Sequence, residues 1–251
     1  MNRFQIAAVA VLVLIFSFPL SSAEPDWYTV LARIDELGDF ENNDFSAEIT
    51  IVSKKPGEDD STIVVRYFRR DSKKEFTMVL LEPAIQKGQG YFSSNNDLWF
   101  YDPESRKFAY SSLKDSFQGS DAQNSDFSSS SLASDYTVES AIAEKLGAAD
   151  TWALTLVAKD RTVAVAKRKL WVRVDNYLVL KEEHYSVSNR LMRTLAYPKY
   201  QTVEGKFVPQ AILIVDNLKV GERTQLTFKA PSVSRLPDSV FNKEYLQKVN
   251  Q

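Results

Sequence analysis

The chain has 251 residues, of which 44% are hydrophobic, with 31 basic and 33 acidic side chains for a formal net charge of −2. It has no cysteine, which excludes disulfides, thiolate metal sites, a cysteine nucleophile and a lipid attached to an N-terminal cysteine. No block of basic residues stands out beyond the short "FRR" and "KRK" runs, which are too small an electrostatic footprint for nucleic acid.

Residues 1–23 read as a secretory signal peptide. Asn2 and Arg3 form a short polar start, residues 6–18 are an apolar run interrupted only by Ser17 and ended by Pro19, and Ser21 and Ala23 are the small residues a signal peptidase reads. A run of thirteen residues is too short to span a bilayer as a helix but suits a signal. The mature protein is expected to begin near Glu24, as one unit over residues 24–251. Losing Arg3 leaves 30 basic against 33 acidic side chains, a formal charge of −3.

The next stretch, "EPDWYTVLARIDELGDF", carries Trp27, Val30, Leu31, Ile34 and Leu37 at spacings of three and four, the stripe of an amphipathic helix. Pro25 suits the first helical turn and Gly38 the stop. Then the period changes to two. "FSAEITIVS", "TIVVRYFRRD", "KEFTMVLLEP", "GQGYFSS", "NDLWFYDP" and "KFAYSSL" follow one another, separated by the charged and Asn-bearing turns that hairpins need. Residues 116–136, "SFQGSDAQNSDFSSSSLASDY", interrupt the pattern with a run of Ser and Asp. The alternation resumes with "TWALTLVAK", "KRKLWVRVD", "YLVLKEEHYSV", "LMRTLAYPKYQTV", "FVPQAILIVDNL" and "RTQLTFKAP". The reading is about eleven strands in an antiparallel meander, a mainly β (α+β) chain rather than one of βαβ units.

Several strands are apolar at consecutive positions, "TMVLL" (77–81) and "AILIV" (211–215) among them. A sheet with one wet face would alternate apolar with polar, so both faces are covered. With one clear helix available, the sheet is expected to curl around it into an open half-barrel.

Chemistry-bearing motifs are sparse. The single imidazole, His184, lies on a charged strand, where a hydrogen-bonded structural role is the ordinary one. No Ser sits in a G-x-S-x-G elbow, and no paired-His metal motif is present. Ser120, Asp121 and His184 are the residues from which a hydrolytic constellation would be assembled. No cofactor and no metal is expected. Aromatic side chains are the richer signal, with Trp99 and Tyr101 on one face of their strand and Leu98 and Phe100 on the other.

At "NNDLWFYDPESRKFAYSSLKDS" the sequence resembles the LolA-like family of outer membrane lipoprotein-sorting proteins. "MVLLEP", Lys87–Gly88 and the Trp99–Tyr101 strand with Pro103 match its pattern, as do "SFQGSD", "SDFSSSSL", "KLWVRVDNYLVLKEEHYS" and the closing "PDSVFNKEYL". The chain departs from it by an extra "AQNS" (122–125) and by Ser129–Ser131 in place of Tyr and acidic residues. The resemblance implies an incomplete antiparallel barrel with a helical lid over a concave apolar cavity. It further implies a non-enzymatic, monomeric and soluble periplasmic carrier of acylated lipoproteins or other lipids, with a membrane release complex and an outer-membrane acceptor as partners. A sensor of envelope lipids with the same fold, and a lipid hydrolase using His184, are the alternatives.

Strand phase then assigns Val65, Tyr67, Met78, Leu80, Trp99, Tyr101, Leu154, Leu156, Trp171, Ile212 and Ile214 to the cavity wall. Trp27, Leu31, Ile34, Phe117, Phe127 and Leu132 are assigned to the lid. Asp126 or Ser125 is expected to cap a short helical turn within it.

Overall fold

In the computed structural model, which describes residues 25–40 and 42–249, the N-terminal apolar stripe becomes helix α1 (Trp27–Gly38). The segment read as a signal peptide lies outside the described residues. Asp26 caps the helix, its carboxylate accepting from the Tyr28 N–H at 3.2 Å and the Thr29 hydroxyl at 2.5 Å. Pro25 therefore stands before the cap and not in the first turn. A proline there still fixes the entry direction, and a carboxylate satisfies the free N–H groups better than proline could.

The strands are β1 (Asp44–Lys54), β2 (Ser61–Arg70), β3 (Glu75–Glu82), β4 (Gly90–Ser94), β5 (Asp97–Asp102) and β6 (Lys107–Ser111). After the short helix α2 (Leu132–Asp135) come β7 (Tyr136–Leu146), β8 (Ala149–Ala158), β9 (Lys167–Arg173), β10 (Val179–Tyr185), β11 (Leu191–Val203), β12 (Lys206–Asp216) and β13 (Arg223–Ser234). Helix α3 (Lys243–Lys248) closes the described chain. The sheet has 13 strands, not about eleven. The twelve alternating segments are each a strand, one more than that count, and the strand that periodicity overlooked is β7, "YTVESAIAEKL". Its Ala, Glu and Lys are helix formers, and most of its side chains are exposed because it is an edge strand with little to pack against.

Strand order is β6-β5-β4-β3-β2-β1-β13-β12-β11-β10-β9-β8-β7. The chain thus makes two meanders, sewn together where β1 pairs with β13 (Ile49 opposite Phe228, Ile51 opposite Leu226). The edges, β6 and β7, are consecutive in sequence yet lie at opposite ends of one open sheet. The chain between them, residues 112–135, has to cross from one edge to the other. That topology gives the Ser-rich stretch its position: it runs over the inner face of the sheet.

The two apolar faces predicted from "TMVLL" are both covered, by different elements. Met78 and Leu80 face inward in the main core with Val65, Tyr67, Ile212 and Ile214. Val79 faces outward, packed with Phe68, Phe92, Val240, Phe241 and Leu246 beneath the C-terminal segment. Thr77 shares that face, its hydroxyl donating to the Val240 carbonyl at 2.9 Å. Asn242 caps α3 through the Tyr245 N–H. The segment leading to α3 is tied down by Arg70, which is nearly inaccessible. Arg70 grips Asp44 through two bonds of 2.8 Å and also reaches Asp238 and the Leu236 carbonyl. Helix α1 lies on the inner face of the other half, with Val30, Leu31 and Ile34 against Leu154, Leu156, Leu170 and Val172.

Candidate functional site: the hollow beneath the crossing segment

Residues 112–135 are held over the sheet by a few apolar anchors and many polar ties. A 3-10 turn at Asn124–Phe127 is closed by Asp126, whose carboxylate accepts from the Gln123 N–H at 2.8 Å. Gln123 is thus the capping position, and Asp126 the residue that reaches back to it. Phe117 and Phe127 pack on each other (ring centroids 5.0 Å apart) and on Tyr91 and Tyr67. The Tyr67 hydroxyl donates to the Phe127 carbonyl. Farther along, the Asp35 carboxylate of α1 accepts from the Ser130 hydroxyl and from the Leu132 and Ala133 N–H groups. Leu132 is buried beside α1.

Between this segment, α1 and strands β9 to β13 lies a hollow of about 250 Å³. Its apolar wall includes Leu170, Leu195, Ile212, Ile214 and Leu226, and Ile34 and Leu132 reach it from above. A second opening of about 410 Å³, nearer β6 and the Ser-rich run, shares Ser125, Ser128, Tyr136 and Arg168 with the first.

Of the side chains expected on the cavity wall, only Ile212 and Ile214 border the hollow. Val65, Tyr67, Met78 and Leu80 are on the inner face but lie in one cluster with Phe117 and Phe127. Leu154 and Leu156 are likewise inward, beneath α1 and α2. Of the six expected overhead residues, Leu31, Ile34 and Leu132 pack together over β8 and β9 with Trp27 at the margin, its ring edge-on to Trp152 at 5.7 Å.

Trp99, Tyr101 and Trp171 are on the wrong face for the wall. Register pairs Phe92 with Trp99 and Ser93 with Leu98. This turns Leu98 inward and Trp99 and Tyr101 outward, into the cluster beneath α3, where the Lys243 ammonium sits 3.7 Å from the Trp99 ring centroid. Trp171 alternates with the inward Leu170 and Val172; on the outside it donates from its indole N–H to Glu144 and lies between the ammonium groups of Lys169 and Lys181. A strand with large apolar residues in both phases carries no sign for its own orientation, and a one-residue error moves every side chain across.

Sequence reasoning missed a charged group on the inner face. His184 on β10 lies directly across from Arg168 on β9 and Arg193 on β11. Arg168 donates to Glu182 and to the Tyr136 hydroxyl, each at 2.8 Å. His184 bridges Glu182 through Nε2 and accepts from Arg193 through Nδ1 at 3.2 Å. Arg193 reaches the crossing segment, gripping both oxygens of Asp126 at 2.8 and 2.9 Å and the Asp121 carbonyl at 3.0 Å. The available signal was phase: with Leu170 and Val172 inward, Arg168 is inward too.

Burial tends to raise the Glu182 pKa, but the charges of Arg168 and Arg193, with the hydrogen bond from His184, outweigh it and hold the carboxyl at about 2. Burial, with the two flanking guanidiniums, keeps His184 below its ordinary value against the pull of Glu182. Its neutral form is the one that fits, because Nδ1 has to accept from a cation. Ser120, Asp121 and His184 do not form a relay. The Ser120 hydroxyl donates to the Phe117 carbonyl, the Asp121 carboxylate accepts from Thr224, and both His184 nitrogens are engaged by Glu182 and Arg193. No group of metal-ligating side chains occurs among the described residues, and no described helix is long and apolar enough to cross a membrane.

A family model described as "Uncharacterized protein" matches residues 72–248. No curated protein matches the sequence. Among solved structures the chain is similar to a LolA superfamily protein from Nitrosomonas europaea, 27% identical over 86% of this chain and 97% of that one, with a TM-score of 0.75. Two further structures share the fold at lower identity. One is a DUF1329 family protein from Desulfovibrio piger (20%, covering 88% and 97%, TM-score 0.79). The other is a domain from Vibrio parahaemolyticus assigned to the outer membrane lipoprotein-sorting proteins (21%, covering 86% and 97%, TM-score 0.76). The chain thus belongs to the family of that model, and in sequence pattern and architecture it is LolA-like.

Proposed function

We propose that this protein is a periplasmic carrier that shelters the acyl chains of lipoproteins or other lipids and moves them toward the outer membrane. The observation that carries the reading is the apolar inner face of the sheet, roofed by a segment whose large apolar anchors are Phe117, Phe127 and Leu132. Similarity to a LolA superfamily protein and to a lipoprotein-sorting domain supports the same class. The signal peptide over residues 1–23, a monomeric unit over residues 24–251, a release complex that loads it and an acceptor at the outer membrane belong to the proposal.

The energetics need no covalent step. Each methylene removed from water contributes ~0.8 kcal/mol, so a long acyl chain is worth on the order of 10 kcal/mol before the cost of immobilising it. With the segment down the hollow holds about 250 Å³, less than the ~300–1,000 Å³ of ordinary ligand pockets. A long chain therefore has to displace the plug. Trp27, Leu31, Ile34, Phe117, Phe127 and Leu132 act as the lid, and withdrawing Phe117 and Phe127 uncovers Val65, Tyr67, Met78 and Leu80. Return of the plug offsets part of the binding energy and lets the cargo leave.

The test is lipid extraction from the mature protein purified from periplasm, read together with its intact mass under native conditions. Acyl chains at near one per protein are expected. A protein that carries none, and takes up no fluorescent fatty acid when offered it, is not a carrier.

A further inference from the structure

The charged group on the inner face is balanced only while the crossing segment is down. Arg168 has its counter-ion, Glu182, on the neighbouring strand of the same rigid sheet, and both border the hollow. Among the described residues Arg193 makes no direct ion pair on the sheet, where Glu182 acts on it only from a distance. Its carboxylate partner is Asp126, on the segment that must lift for a long chain to enter. With His184 neutral, Arg168, Arg193, Glu182 and Asp126 sum to zero. With Asp126 withdrawn the sum is +1, at the edge of a hollow that Asp126 itself lines together with Arg168, Glu182, His184 and the apolar Leu170, Leu195 and Ile214. A buried cation stripped of its partner is strongly unfavourable. The Arg193 guanidinium also has a donor to spare, since its buried Nε–H has no acceptor.

We propose that the hollow selects amphiphiles with an anionic headgroup, a carboxylate or phosphate oxyanion, which takes the place of the Asp126 carboxylate on Arg193. This rests on the carrier reading and names its substrate class. The planar fork that grips Asp126 bidentately suits either oxyanion, and Arg168 borders the same space. A neutral headgroup cannot discharge the guanidinium, and a cationic one adds to the repulsion. The oxyanion is therefore both a ligand and the replacement for an internal one, so binding of the headgroup and release of the crossing segment are a single exchange.

The test is displacement of a polarity-sensitive apolar fluorophore from the mature protein by four amphiphiles of equal chain length: dodecanoate, dodecyl phosphate, dodecanol and dodecyltrimethylammonium. Dodecanoate, dodecyl phosphate or both are expected to compete at least tenfold better than dodecanol, and the ammonium worst. The first two arms tell a carboxylate from a phosphate source. Arg193→Gln should remove the preference, with dodecanol competing at least as well as before because opening no longer strands a guanidinium. Asp126→Asn, which keeps the guanidinium and weakens the tie that holds the segment down, should strengthen the anions and the alcohol alike severalfold while the anions keep their lead; loss of that lead in this variant overturns the assignment if Arg193→Gln does not fold. Equal competition by the alcohol and the anions, or a preference for the cation, overturns the headgroup assignment and leaves the carrier reading standing. Displacement by none of the four overturns both.

Discussion

At the scale of single residues the inner charged group makes stability depend on pH in a defined direction. His184 is held below the ordinary 6.5 by burial and by the guanidiniums beside it. The unfolded chain therefore takes up that proton first as pH falls. Stability is full above about 6.5 and declines below it, until the folded imidazole also protonates. Glu182, at about 2 when folded against 4.5 when free, adds a separate loss between those two values. Lowering the pH from about 7.5 to about 5.5 lies within the histidine window only, so the urea midpoint should fall over that interval. In His184→Gln it should stay nearly flat there and drop only on further acidification. A wild-type midpoint that does not move between those pH values would contradict the assignment of a neutral, buried His184. The same group shows what residue types alone conceal: on a strand rich in Lys, Arg and Glu, the inward members look no different from the wet ones.

At the scale of elements, two covers decide which face of each strand is inside. One is the crossing segment; the other is α3, short but well docked. Gly90 on β4 makes the second possible. A β-carbon there would stand 2.5 Å from a Leu246 methyl and 2.7 Å from the Met78 carbonyl oxygen, closer than packed atoms come. Gly90→Ala should therefore cost about 1–3 kcal/mol, the usual penalty of overpacking, and loosen α3. A lower urea midpoint, with increased protease cleavage near the C-terminus, is the expected reading; an unchanged midpoint would mean that α3 docks by some other contact. The helical stripe of α1 and twelve of the thirteen strands were visible as periodicity. β7 was not, because an exposed edge strand has no buried phase to display. The inward face of β5 and β9 was not either, since Trp99, Tyr101 and Trp171 are as apolar as their inward neighbours. What puts Trp99 and Tyr101 outside is α3, remote in sequence, and what puts Trp171 outside is the Lys169, Lys181 and Glu144 side chains that solvate its ring and N–H.

At the scale of the whole molecule the proposed carrier is a two-state device made of the open sheet and its plug. Phe127 is buried against Tyr67 and Phe117 when the segment is down, and burial of such a ring is worth roughly 1.5–3 kcal/mol to that state. Phe127→Ala should weaken closure and raise affinity for a fluorescent fatty acid by about tenfold, since less of the binding energy goes into opening. It should also lower folding stability, by an amount that depends on how far the site collapses. Unchanged affinity in a folded variant would count against Phe127 as a competitor for the cavity. The plug's position follows from the sheet's topology: pairing β1 with β13 puts β6 and β7 at opposite edges, and residues 112–135 have to bridge them.

By itself the sequence determined the local structure and the class. A period of 3.6 followed by a period of two set helix and strands, apolar residues in both phases required covers on both faces, and the central motif marked the chain as LolA-like. Only the tertiary structure decided which phase is inside, and that Arg168, Glu182, His184 and Arg193 meet at the inner face with Asp126 above them. The physical reason is range. Periodicity records what neighbours along the chain share, whereas the sign of a face and the pairing of charges are fixed by elements that lie scores of residues apart.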